Sequence, residues 1–145
     1  MPITGSCRCG AVKYELSVEG LPLTYACHCL DCQTWSGSAF ALHALLPESL
    51  VKLSGNASEF ELENVESMAS QHIVCATCST RIANRNAAVP NMIILRAGTL
   101  TRSDELVPAI HIWTKRKQSW IKLPESVRTF DETPSPQEFG AALQG

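Results

Sequence analysis

The chain has 145 residues, 45% of them hydrophobic, and a formal net charge of −2. That length suits a single domain with a substantial apolar core. The slightly acidic balance gives no electrostatic reason to bind nucleic acid, and no apolar run is long enough to span a bilayer.

Seven cysteines punctuate the chain. Cys7 and Cys9 form a C-x-C pair ahead of Ala11 to Leu16. In that stretch Val12, Tyr14 and Leu16 alternate with Lys13 and Glu15, which predicts a strand. An i, i+2 step sends both thiols to one side, and Gly10 frees the backbone to turn away. Cys27-His28-Cys29-Leu30-Asp31-Cys32 then places three thiols in six residues. Its last step resembles either the first turn of a helix, which Gln33 to Trp35 can continue, or a tight turn, with Ser36 and Gly37 terminating it. Phe40 to Leu46, Val51 to Leu53 and Phe60 to Leu62 are short, apolar or alternating, and read as strands. The apolar run His72-Ile73-Val74 leads into Cys75-Ala76-Thr77-Cys78, which has zinc-knuckle spacing. Met92 to Leu95 and Ile110 to Trp113 are further strands. Beyond Leu123 the composition shifts with Pro124, Pro134 and Pro136. Ser135 can cap a short helix there, with Pro136 in its first turn and Phe139, Ala142 and Leu143 on one face. Many short strands between turn residues predict a β-rich domain over residues 1–123 and a tail over residues 124–145 with a short helix.

An odd number of cysteines leaves at least one thiol unpaired in any disulfide scheme, and C-x-C pairs close strained rings. The first five residues carry no secretory pattern, so a reducing cytoplasm is expected. Metal binding is the better reading of these thiols. Zinc takes four protein ligands at a closed structural site and three at a site open to an outside ligand. Seven thiols divide into four and three. The pairs Cys7/Cys9 and Cys75/Cys78 can close on one ion, tying the N-terminus to the middle of the chain. The triplet Cys27, Cys29 and Cys32 either stays three-coordinate or recruits His28, His43, His72 or His111. A histidine between two ligands usually points away from them, which counts against His28.

Other residues have plainer readings. His111, Trp113 and Trp120 are expected to pack in the core, with a ligand-pocket wall as the alternative. Lys115-Arg116-Lys117 reads as a solvated hairpin tip. Arg81 and Arg85 are expected at the surface, although either could meet a carboxylate ligand. Asp31 is expected to face solvent.

The motifs Gly5-x-Cys7-x-Cys9-Gly10-x-Val12-x-Tyr14, Cys27-His28-Cys29-x-x-Cys32-Gln33-x-x-Ser36-Gly37-Ser38-Ala39-Phe40, Cys75-x-x-Cys78 and His111-Ile112-Trp113 resemble the glutathione-dependent formaldehyde-activating family. That family includes centromere-protein-V-like proteins. The resemblance runs from about Gly5 to Leu123. It implies a mainly β fold, a β-tent of packed antiparallel sheets. It also implies two zinc ions per chain: a structural one on Cys7, Cys9, Cys75 and Cys78, and an open, catalytic one on Cys27, Cys29 and Cys32. One departure stands out. Ser79 follows the last cysteine where the family usually has glycine, so a positive φ there would cost of order 1 kcal/mol.

The donor set bears on the chemistry. Three thiolates around Zn²⁺ leave a net charge near −1, a poor arrangement for activating water and a good one for deprotonating a soft thiol. In the family reaction, glutathione adds to formaldehyde to give S-(hydroxymethyl)glutathione; the reverse is a carbon–sulfur lyase reaction. The expected partners are therefore glutathione or another small thiol and a small aldehyde, with no nucleic acid and no membrane. The alternative is a non-catalytic zinc and glutathione-binding carrier module, which would use the same open site.

Overall fold

The computed structural model describes residues 2–63 and 69–143. In chain order its strands are β1 (Ile3–Ser6), β2 (Val12–Leu16), β3 (Tyr25–Cys27), β4 (Ala41–Pro47), β5 (Val51–Gly55), β6 (Ala57–Leu62), β7 (Ser70–Cys75), β8 (Arg81–Asn86), β9 (Met92–Arg96), β10 (Ile110–Ile112) and β11 (Arg128–Thr129). Two helices, α1 (Leu30–Ser36) and α2 (Pro136–Leu143), complete the regular structure, with a few single 3₁₀ turns. The protein is mainly β, its eleven described strands forming two sheets. Among the described residues no helix is long and apolar enough to cross a membrane.

Contacts divide the chain into two compact units. The first comprises residues 1–22 and 44–106. One of its sheets has the order β1-β2-β5, antiparallel throughout. The alternation read from Ala11 to Leu16 is realised in β2, where Val12, Tyr14 and Leu16 are buried and Lys13 and Glu15 exposed. Gly5 lies opposite Tyr14 in the register, and a Cβ there would sit 2.2 Å from the tyrosine ring. Only glycine lets the phenol pass to its hydrogen bond with Thr99 Oγ1 at 2.7 Å. In the same unit β6, β7, β8 and β9 run as an antiparallel meander, with an irregularity in register at Ile73/Val74. Ile73, Ile82, Ile93 and Leu95 supply its buried side chains.

The second unit comprises residues 23–43 and 107–145. Here β3 pairs antiparallel with the start of β4, Cys27 opposite Ala41 and Tyr25 opposite His43. On its other side β3 pairs with β10, and this pairing is parallel, as is that of β10 with β11. The expected all-antiparallel arrangement is therefore modified. Parallel neighbours need a long crossover, and more than 80 residues separate β3 from β10 in sequence. Ala26, Ile110 and Ile112 are buried along this seam.

The C-terminal helix forms where Ser135 predicts it. Ser135 Oγ accepts from the Glu138 amide at 3.1 Å, and Glu138 Oε1 accepts from the Ser135 amide at 3.2 Å. That reciprocal pair is a capping box whose second member sequence reasoning overlooked. Ala142 is buried, and Phe139 meets the Tyr25 ring edge-on at 4.8 Å.

Candidate metal centres

The first unit brings Cys7, Cys9, Cys75 and Cys78 together, their sulfurs all within 4.8 Å of one another. Cys7 and Cys9 lie on the turn from β1 to β2. Gly10, at φ 85°, reverses the chain so that the Cys7 amide bonds the Val12 carbonyl at 3.0 Å. Cys75 ends β7, and the knuckle closes as the Ser79 amide donates to the Cys75 carbonyl at 2.9 Å. Amides of Thr77 and Cys78 point at Cys75 Sγ (3.3 and 3.4 Å), and the Val12 amide points at Cys7 Sγ (3.3 Å). Such donors stabilise thiolates.

The spacing fits a tetrahedral metal. Cys7 and Cys9 sulfurs are 3.6 Å apart, and those of Cys9 and Cys75 3.8 Å. A Zn–S bond near 2.3 Å gives a tetrahedron with edges of about 3.8 Å. Burial is less complete than a closed site suggests: Cys7 and Cys75 are buried, Cys78 is half-buried and Cys9 is exposed. The site is closed by its number of sulfurs rather than by depth. The Thr80 hydroxyl, 3.0 Å from Cys78 Sγ, leads the contacts that lower that thiol to about 5. Cys9 moves the other way, to about 11: the Ala11 amide lowers it, but the Cys7 thiol, desolvation and the thiols of Cys78 and Cys75 together raise it further. Nothing in the sequence singles out Thr80, two residues past the last ligand.

The second unit assembles Cys27, Cys29 and Cys32, again within 4.8 Å, and all three are buried. Cys27 ends β3. Cys29 caps α1, its sulfur accepting from the Cys32 amide at 3.3 Å, and Cys32 lies in the first turn. Gly37 ends this helix in the left-handed region at φ 64°. Hydrogen bonds from the other two thiols lower Cys29 to about 3, with the Cys32 and Asp31 amides adding to the effect. The same contact with Cys29 leads the influences that push Cys27 up to about 12, and contacts with both neighbours push Cys32 far up. Three buried sulfurs this close repel one another as thiolates. A divalent cation relieves that repulsion, so the donor set fits a thiophilic metal.

The histidines distribute unequally. His43 Nε2 lies 3.4 Å from Cys32 Sγ. His28 turns away from the cysteines and shares a 2.9 Å hydrogen bond with His111 Nδ1, its ring 5.2 Å from Phe40. Burial, then the His111 ring and Lys117, lower His28 to about 4. His72 sits in the first unit and bonds Ser70 Oγ at 2.9 Å.

Several expectations change. Asp31 is 7% exposed rather than solvent-facing, because it occupies the inward first turn of α1. His111 and Trp113 are buried as expected, but Trp120 is 69% exposed, lying beyond the strand rather than against it. Lys115 and Arg116 lie in a 3₁₀ turn that Lys117 closes, with Lys115 paired to Glu132 and Lys117 Nζ donating to the Ile121 carbonyl at 2.8 Å. Arg85 is held bidentately by Glu48 and also by Glu59, which neutralises it as an anion receptor. Arg81 stacks over Phe60.

The family model described as "Glutathione-dependent formaldehyde-activating enzyme" matches residues 2–116, which include all seven of these cysteines. The chain belongs to that family. Its two cysteine clusters are therefore candidate metal centres of a formaldehyde-activating enzyme fold. A crystal structure of a Rhodobacter sphaeroides protein, a Northeast Structural Genomics target, shares the fold at a TM-score of 0.54 and 21% identity. The similarity covers 72% of this chain and 97% of that one. A search of curated proteins gives no significant match.

Proposed function

We propose that this member of the formaldehyde-activating family is a carbon–sulfur lyase and synthase that takes glutathione, or a similar small thiol, at Cys27, Cys29 and Cys32 and promotes its addition to formaldehyde. The observation that carries the reading is the buried triplet itself: three sulfurs gathered without a fourth cysteine. Three protein sulfurs leave one tetrahedral position for an outside ligand. Zinc held there would lower the pKa of an incoming thiol and keep it as thiolate. Cys29 is fixed by the first-turn amides of α1, and Cys32 has His43 beside it.

The bond changes are simple. The thiol sulfur adds to the formaldehyde carbon, the carbonyl π pair moves to oxygen, and that oxygen gains the proton the thiol lost. The product is S-(hydroxymethyl)glutathione, and the reverse breaks the same carbon–sulfur bond. Cys7, Cys9, Cys75 and Cys78 would carry a second, structural zinc. All seven thiols are unpaired, which fits a reducing compartment such as the cytoplasm.

The test compares S-(hydroxymethyl)glutathione formation at equal glutathione and formaldehyde with wild-type protein, with Cys29→Ser and without protein. Acceleration that Cys29→Ser abolishes is the expected result. Equal rates in all three would reduce the protein to a thiol carrier.

A further inference from the structure

We propose that Gln33 is a positioning residue of the three-cysteine centre: its side-chain amide pins the backbone between Cys27 and Cys29 and so sets those two sulfurs for a metal ion. This rests on the reading that the triplet holds a metal.

His28, the residue between the two sulfurs, makes the corner from β3 into α1 and is 0% exposed. Its backbone groups are out of reach of water and need partners within the protein. The His28 amide donates to the Ile112 carbonyl of β10 at 3.0 Å. The His28 carbonyl accepts from Gln33 Nε2 at 2.8 Å. With the ring bond to His111, the residue is held at three points.

The second donor of the Gln33 amide goes to the Arg116 carbonyl at 3.0 Å, so one carboxamide joins segments 83 residues apart. Backbone strain accompanies this clasp. Trp113 leaves β10 at φ 58°, and the 3₁₀ turn Thr114–Arg116 that follows presents the Arg116 carbonyl to α1. Such a conformation persists only where the surroundings over-determine it, and it concentrates at functional sites. Here Trp113 Nε1 donates to Thr133 Oγ1 at 2.9 Å, and Thr114 Oγ1 donates to the Phe130 carbonyl at 3.1 Å.

The clasp is specific to glutamine. Two donors on one planar nitrogen meet two carbonyls, whereas glutamate of the same size would present oxygen to oxygen. Its effect reaches the ligands through one peptide unit. The carbonyl of His28 and the amide of Cys29 belong to the same peptide, and that amide donates to the Cys27 sulfur. A donor at one end of a peptide strengthens the donor at the other. Losing the clasp therefore frees the Cys29 backbone and weakens the contact that steadies Cys27.

The experiment loads wild-type protein, Gln33→Met and Gln33→Glu with cobalt or zinc, without any added thiol. Metal binding is read by sulfur-to-cobalt absorption and by chelator competition, the triplet's share being the part that Cys29→Ser removes. Both Gln33 substitutions are expected to weaken the triplet's metal about tenfold and to shift its cobalt absorption, while the four-cysteine centre keeps its metal. Ser135→Ala, which removes the α2 cap, controls for general destabilisation: it should lower the denaturation midpoint and leave the cobalt spectrum as it was. Wild-type affinity and spectrum in both Gln33 variants would overturn the proposal while leaving the triplet's metal in place. Failure of both variants to fold would also overturn it, assigning Gln33 to the stability of the fold. If Cys29→Ser took nothing from the wild-type chelator profile, the metal reading of the triplet would fail and this proposal with it.

Discussion

His43 Nε2 lies 3.4 Å from Cys32 Sγ, inside the second unit and out of solvent. Tyr25 stands opposite His43 on the neighbouring strand, its ring centroid 5.2 Å from the imidazole. In the tautomer with its proton on Nε2, a ring so placed donates to the sulfur and steadies it. Partners of this kind are typically worth ten- to a hundredfold in metal affinity. His43→Phe keeps the ring's bulk and removes the nitrogen. We expect it to weaken metal binding at the triplet by about that factor, read by chelator competition and by the sulfur-to-cobalt absorption of cobalt-loaded protein. Unaltered cobalt spectra and chelator kinetics would remove His43 from the site.

The two clusters should respond differently to loss of a sulfur. Cys78→Ser opens a knuckle that joins the β1–β2 turn to the end of β7, and is expected to leave the first unit unfolded or insoluble. Cys29→Ser should leave a folded protein that has lost about one of two metals, measured by elemental analysis and circular dichroism. A well-folded Cys78→Ser protein with both metals retained would contradict the structural assignment.

Ser79 stands at φ 65°, in the left-handed region that favours glycine. The left-handed conformation costs a non-glycine residue about 1–2 kcal/mol, and glycine returns part of that through greater freedom of the unfolded chain. Ser79→Gly should therefore stabilise the protein by up to about 1 kcal/mol, seen as a higher denaturation midpoint at unchanged metal content. A lower midpoint would mean that the serine hydroxyl contributes more than the strain costs.

The pH dependence of stability should carry a contribution from His72. Burial, then the charges of Arg96 and Arg81, lower it to about 4 from an ordinary value of 6.5. Between those values the unfolded chain binds a proton that the folded chain refuses. The stability held by neutral His72 is therefore complete above about pH 6.5 and is lost as pH falls toward 4. His72→Gln should flatten the decline in denaturation midpoint between pH 7 and pH 5. Equal slopes for both proteins would show that His72 is not the group responsible.

Much of the local structure was legible in the sequence because it depends on near neighbours. The alternation of β2, the turn at Gly10 and the Ser135 cap each follow from a few adjacent residues. β1, β3, β7, β8 and β11 were missed. They are short, and Arg81–Asn86 carries polar side chains into a strand set by its pairing with β7 and β9. Trp113, at φ 58°, ends β10 in a conformation rare for a bulky residue, and no pattern in the sequence announces it.

What the sequence determined by itself is the donor inventory: seven thiols at spacings that favour chelation over bridging, and a division into four and three. The tertiary structure decided which histidine approaches a sulfur, that Asp31 is buried, and that Trp120 stands exposed beside α1. The reason is range. A C-x-C or C-x-x-C spacing fixes sulfur separations through covalent geometry alone, whereas His43 reaches Cys32 only because β4 pairs with β3 in one register. A slip of a single residue in that register would turn the imidazole to the opposite face of the sheet.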